Sequence, residues 1–190
     1  MSVTRLSFPY GQAITWYSPE HLTQSPPLAL KDWLLDTGSL TQKLKSHCDQ
    51  FSVIVLGEAH LPPFVGEFTT QETVWVREVL LCLDGTPWVF ARTLVPSEII
   101  ENQHQRFLEL GTRPLGELLF SEGNFTPGEI EISQFYPDGA LAELINAQDQ
   151  DASQALWGRR RYFSHNSKQL SVSEIFLPAS QRRITQEQLK

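Results

Sequence analysis

The apolar positions change period several times along the chain, and each change marks an element. Leu30, Trp33 and Leu34 fall at helical spacing, Gly38 offers a stop, and Ser39 can cap a second run through Leu40 and Leu44. A helix–turn–helix pair is expected there. Residues 51–56 read as a strand, and Leu61-Pro62-Pro63-Phe64 as a loop. Two β-rich runs, 74–83 and 88–95, flank Asp84-Gly85 and predict a hairpin. Pro96-Ser97 then opens a helix expected over about 98–110, with Ser97 as its cap, Gly111 as its stop and a further helical turn or two over 114–120. Residues 129–135 alternate as a strand, and 139–155 read as a helix followed by a polar, dispensable surface loop. Residues 156–163 and 169–177 predict a second hairpin, closed by Pro178. Before residue 28, Pro9, Pro19, Pro26 and Pro27 interrupt any period, so 1–27 is expected as an irregular arm; 181–190 is a polar tail read as frayed helix.

Alternation sorts the charges onto faces. In the first hairpin strand Trp75, Arg77, Val79, Leu81 and Leu83 share one side. With a two-residue turn Leu83 faces Thr86, and continuing that register sets Arg77 opposite Arg92 on one apolar face. Like charges so placed need an anionic partner. Three arrangements satisfy that need: an internal ion pair with an acid from another element, a solvent-exposed hairpin face, or an anion-binding pocket. Two guanidinium forks would suit a dicarboxylate better than a monocarboxylate. Glu174 repeats the pattern, sharing a face with Leu170, Val172 and Phe176. It is a candidate general acid or hydrogen-bond donor; the alternative is a salt bridge to Arg77, Arg92 or the run Arg159-Arg160-Arg161. That run reads more readily as a solvated strand edge than as a site.

Composition narrows the function classes. The chain has 190 residues, of which 41% are hydrophobic and 19% charged, a globular balance that suits one domain. A formal net charge of -7 argues against a broad nucleic-acid surface. No apolar stretch reaches membrane-spanning length and the first residues lack a secretory pattern, so no membrane span and a cytoplasmic location are expected. Cys48 and Cys82 do not make a disulfide framework, and the five histidines lack ligand spacing, so neither metal nor cofactor is expected.

Six segments in register carry a family resemblance: DWLLD at 32–36 with GSLT at 38–41, WVREVLLCLDG at 75–85, ARTLVP at 91–96, PLG at 114–116, LWGRR at 156–160 and SEIFLPAS at 173–180. Together they resemble the chorismate pyruvate-lyase family over roughly residues 28–180. The resemblance implies an α+β domain in which about six antiparallel strands carry helices on one side, with helical flaps closing an internal ligand site. It implies removal of pyruvate from chorismate to give 4-hydroxybenzoate for ubiquinone synthesis, by a monomer without metal or cofactor. Arg77 would hold the ring carboxylate and Glu174 would meet the 4-hydroxyl. Leu40 and Leu115 would line the pocket and offer backbone N–H groups, and Arg92 would face the enolpyruvyl carboxylate. Leu40 stands where many relatives have methionine, and Ala91 where glycine is common. The alternative is a non-catalytic domain of similar fold that senses small aromatic acids.

Overall fold

The alternating runs pair into one six-stranded antiparallel sheet. In a computed structural model of the chain, which describes residues 8–121 and 123–187, the strands are β1 (Phe51–Leu61), β2 (Val74–Leu83), β3 (Thr86–Val95), β4 (Thr126–Phe135), β5 (Leu156–His165) and β6 (Lys168–Phe176). Their spatial order is β1-β2-β3-β6-β5-β4. The helices are α1 (Leu28–Leu34), α2 (Leu40–Lys45), α3 (Ser97–Leu108), α4 (Leu115–Ser121), α5 (Gly139–Ala147) and α6 (Pro178–Glu187). The α+β class, the strand number and both hairpins agree with the sequence reading, but the helices are not confined to one side, because α5 has an apolar face of its own that covers the reverse of the sheet.

One face of the sheet, here the front, carries two apolar clusters. Trp33, Leu34, Leu40 and Leu44 of α1 and α2 pack on Val79, Leu81 and Ala91, with Ile184 of α6 joining them. Ile99, Phe107, Leu118 and Leu119 of α3 and α4 pack on Trp75, Phe163 and Val172. On the reverse face α5 lays Leu141, Leu144 and Ile145 against Leu80, Phe90 and Ile175, and Tyr10 and Ile14 of the arm join that cluster. Among the described residues of the arm there is a short 3-10 turn at Pro19–His21 and a bridge from Tyr17 to Ile132 on the β4 edge.

Four local expectations change. The first strand continues to Leu61 through a bulge between Val55 and Gly57, because its pairing with β2 persists where the apolar pattern fades. The α3 cap is Pro96, whose carbonyl accepts from the Ile99 and Ile100 N–H groups; Ser97 is already helical and makes no cap bond. The polar loop after α5 is anchored: buried Gln150 donates to the Pro87 carbonyl at 2.8 Å and accepts from the Ala179 N–H at 2.8 Å. The tail is helical from Pro178 to Glu187 because Ile184 has a cluster to join; its last three residues, like the first seven of the arm, lie outside the described residues. The α1–α2 turn is as read, with Ser39 Oγ accepting from the Gln42 N–H.

Candidate functional site

The register of the first hairpin decides which arginine belongs to the site. Asp84 and Gly85 both have positive φ, and Leu83 pairs with Thr86 as expected. The pairing then slips by one residue between Leu81 and Cys82. Pro87 has no N–H for the ladder, and the strand accommodates it with a bulge at Pro87–Trp88. Beyond the bulge Arg77 faces Thr93, and Arg92 faces Glu78. The two arginines therefore point to opposite sides of the sheet, which corrects the expectation that they share a face.

Arg92 is buried on the reverse face inside an acidic clamp. Its Nε and Nη2 donate to the Glu67 carboxylate at 2.5 and 3.0 Å, and its Nη1 donates to Glu78 Oε1 at 2.7 Å. Burial pulls the Arg92 guanidinium pKa down, but the bonds and charges of Glu67 and Glu78 outweigh it and hold the value above the ordinary one. Glu78 is 0% exposed and also accepts from the backbone N–H groups of Tyr10 and Gly11, at 2.6 and 2.9 Å. This is the internal ion pair among the three alternatives, and it leaves Arg92 outside the wall of the front cavity.

That cavity, of about 50 Å³, lies between the two front clusters. Its floor is two rows of the sheet. Arg77, Thr93, Val172 and Arg161 stand in one row, each paired with the next across β2, β3, β6 and β5; Val79, Ala91, Glu174 and Arg159 form the neighbouring row. Leu40 and Thr41 of α2 and Leu115, Gly116, Leu119 and Phe120 of α4 form the roof. Leu40 and Leu115 open their helices, so their N–H groups belong to the first turn, where the helix supplies no acceptor. The two roof helices meet closely. A Cβ on Gly116 would lie 2.7 Å from Thr41 Oγ1, and Lys45 of α2 reaches Glu117 of α4 at 2.5 Å.

Each charged floor residue is held. Arg77 is 2% exposed; its Nη1 pairs with Glu58 and its Nη2 donates to the Gly111 and Arg113 carbonyls at 2.7 and 3.4 Å. Among the described residues these contacts leave the Nε–H and one Nη1 proton of the five donors uncommitted. Glu174 Oε2 accepts from Arg159 Nε at 2.6 Å, and among the described residues Oε1 has no protein partner. Arg159 is pinned in turn by the Trp33 and Asp36 carbonyls at the end of α1, at 3.1 and 2.8 Å.

Of the residues singled out in the sequence, Arg77, Glu174, Leu40 and Leu115 converge on this cavity and Arg92 does not. Thr41, Arg113, Arg159 and Arg161 line it as well, and Glu58 reaches it only through Arg77. The arginine run is not a solvated edge, because β5 lies inside the sheet between β6 and β4. Its signal in the sequence was the alternation of Trp157, Arg159, Arg161 and Phe163 on one side with Arg160 on the other. Arg160 faces the reverse side, where it pairs with Glu131 at 2.6 Å.

The chain is similar over nearly its whole length to known proteins. A protein from Shewanella loihica named "Probable chorismate pyruvate-lyase" is 61% identical over 184 residues, covering 97% of this chain and 98% of its own. One of the same name from Shewanella sp. strain W3-18-1 is 55% identical over 186 residues, covering 98% and 100%. Among solved structures, PhnF from Mycobacterium smegmatis superposes with a TM-score of 0.56 at 17% identity over 77% of this chain and 66% of its own, a likeness of fold. The family model described as "Chorismate lyase" matches residues 10–187, and the chain belongs to that family.

Proposed function

We infer that the chain eliminates pyruvate from chorismate and leaves 4-hydroxybenzoate. The observation that carries this reading is the convergence of Arg77 and Glu174 on one cavity; relatives of 55–61% identity named for that reaction support it. In the elimination the C4–H bond and the bond from C3 to the enolpyruvyl oxygen break. A ring double bond forms, the ring becomes aromatic, and the enolpyruvate released takes up a proton to become pyruvate. Aromatisation supplies the driving force, so the protein has to orient the substrate and place charge.

Arg77 takes the ring carboxylate with the donors that Glu58 and the backbone leave uncommitted, and the first-turn N–H groups of Leu40 and Leu115 add to that contact. Glu174, held at Oε2 by Arg159, directs Oε1 to the 4-hydroxyl. Val79, Leu81, Val172 and Leu119 supply flat apolar walls for the ring and keep water away, which strengthens each polar contact inside. The product is the aromatic acid that enters ubiquinone synthesis. Cys48 and Cys82 are both free thiols, which supports a cytoplasmic setting; no helix among the described residues is long and apolar enough to cross a membrane.

The test is release of pyruvate from chorismate by the purified protein, followed with a coupled reductase, with 4-hydroxybenzoate identified as the second product. Binding of 4-hydroxybenzoate without any pyruvate release would instead identify an aromatic-acid sensor.

A further inference from the structure

With Arg92 turned to the reverse face, the cavity still contains a cation that no acid among the described residues pairs with. Arg159 is matched by Glu174 and Arg77 by Glu58. Arg161 is different: its Nε donates to the Gly128 carbonyl at 2.6 Å and its Nη1 to the Thr37 carbonyl at 2.8 Å, both neutral acceptors. Glu129 and Glu174 are near enough to favour its charge, yet among the described residues no carboxylate comes within ion-pair distance of it. Burial and the neighbouring Arg159 lower its pKa, so the charge is held at a cost that an anion would relieve. Two carbonyls fix the guanidinium in place before any ligand arrives.

The register gives the distance. Arg77 and Arg161 stand in the same row of the sheet, separated by Thr93 and Val172. Three strand spacings set their Cα atoms about 14 Å apart, and each guanidinium is held toward its own side of the cavity, Arg77 by Glu58 of β1 and Arg161 by the Gly128 carbonyl of β4. One carboxylate cannot bridge this width. A ring with a carboxylate at each end can, with one guanidinium at either side. Arg113 also lines the cavity, but it is exposed, and an ion pair in water contributes little.

We propose that Arg161 binds the second, side-chain carboxylate of the substrate and makes the site selective for dianions over monoanions. The proposal rests on the lyase reading for the identity of the substrate, so its test uses ligands that are not turned over. Calorimetric titration compares 3-(carboxymethoxy)benzoate with 3-methoxybenzoate, which share a ring carboxylate and an ether and differ in the second carboxylate. The wild-type protein should prefer the dicarboxylate by about tenfold or more, the size of one charge-assisted contact. Arg161→Gln should abolish that preference while 3-methoxybenzoate binds within about twofold of wild type, and Arg161→Lys should restore part of it. In turnover, Arg161→Gln should raise KM for chorismate and leave inhibition by 4-hydroxybenzoate unchanged.

Equal affinity of wild type for the two probes, a preference that survives Arg161→Gln, or equal losses on both probes would overturn the proposal. So would a preference abolished by Arg113→Gln. Should the Arg161 variants not fold, Arg113→Gln decides: a preference kept there supports Arg161, and a preference lost there removes it. Failure of the lyase reading would show separately, as absence of pyruvate release by the wild-type protein.

Discussion

Arg77 and Glu174 reach the same cavity by different means, and their variants should fail differently. Arg77 is buried, but its partner Glu58 is 40% exposed and can rehydrate. Arg77→Ala should therefore fold, and should weaken binding of both chorismate and 4-hydroxybenzoate by about 2–5 kcal/mol, because each ligand's ring carboxylate loses a desolvated partner. Isothermal titration of the product measures this directly; a loss below about 1 kcal/mol would place Arg77 in a solvent-screened contact. Glu174→Gln keeps the shape of the side chain and removes its charge. A fall in kcat of about 10²–10⁴ with product binding intact would assign proton transfer to this carboxyl, and a fall below about tenfold would leave it a positioning role.

At the scale of elements, the roof is set by how closely α2 and α4 approach. Alanine is the better helix former by about 1 kcal/mol, so Gly116→Ala would ordinarily stabilise α4. Here the new methyl meets Thr41, buried and β-branched, at 2.7 Å. The variant should keep its melting temperature but bind 4-hydroxybenzoate about tenfold more weakly, with faster release in stopped-flow. Adding Thr41→Ala should recover most of that loss, the signature of two residues in contact.

The α1–α2 turn carries a pH-dependent part of the fold. Burial pushes the Asp36 carboxyl up, but Lys43, the Gly38 N–H and Arg159 outweigh it and hold its pKa below the ordinary carboxylate value. A depressed carboxyl stabilises the fold above its unfolded pKa and loses that contribution as pH falls through the folded value. Asp36→Asn should thus lower the melting temperature by about 2–4 °C at pH 7, the equivalent of roughly 1 kcal/mol at most for a half-exposed group, and should match wild type near pH 2.

For the molecule as a whole, the two faces of the sheet divide the work. The front holds the cavity; the reverse holds a closed charge network of Arg92, Glu67 and Glu78, capped by the arm. Gly11 is required there, because a Cβ would stand 2.7 Å from Arg92 Cδ. Arg92→Ala leaves Glu78 charged and fully buried with two backbone donors, so it should cost about 3–5 kcal/mol in urea unfolding. Deleting residues 1–15 should destabilise the protein as well and speed proteolysis, since it removes the Tyr10 and Gly11 donors and uncovers Leu80 and Phe90.

Element types followed from the sequence because period, turn and stop signals are local. Asp84-Gly85, Ser39 and the alternation of 74–83 each act within a few residues, and they fixed both hairpins, the helix pair, and Arg77 and Glu174 as charges on apolar faces. The six segments in register pointed to the family. What only the tertiary structure decided was which charges meet. A single bulge at Pro87–Trp88 reverses the face of Arg92 and every residue beyond it, and although Pro87 was a visible warning, the strand must pair before the slip has a position. The same holds for Arg159 and Arg161: whether an arginine run is a wet edge or a cavity floor depends on the order of strands in space, which no local pattern encodes.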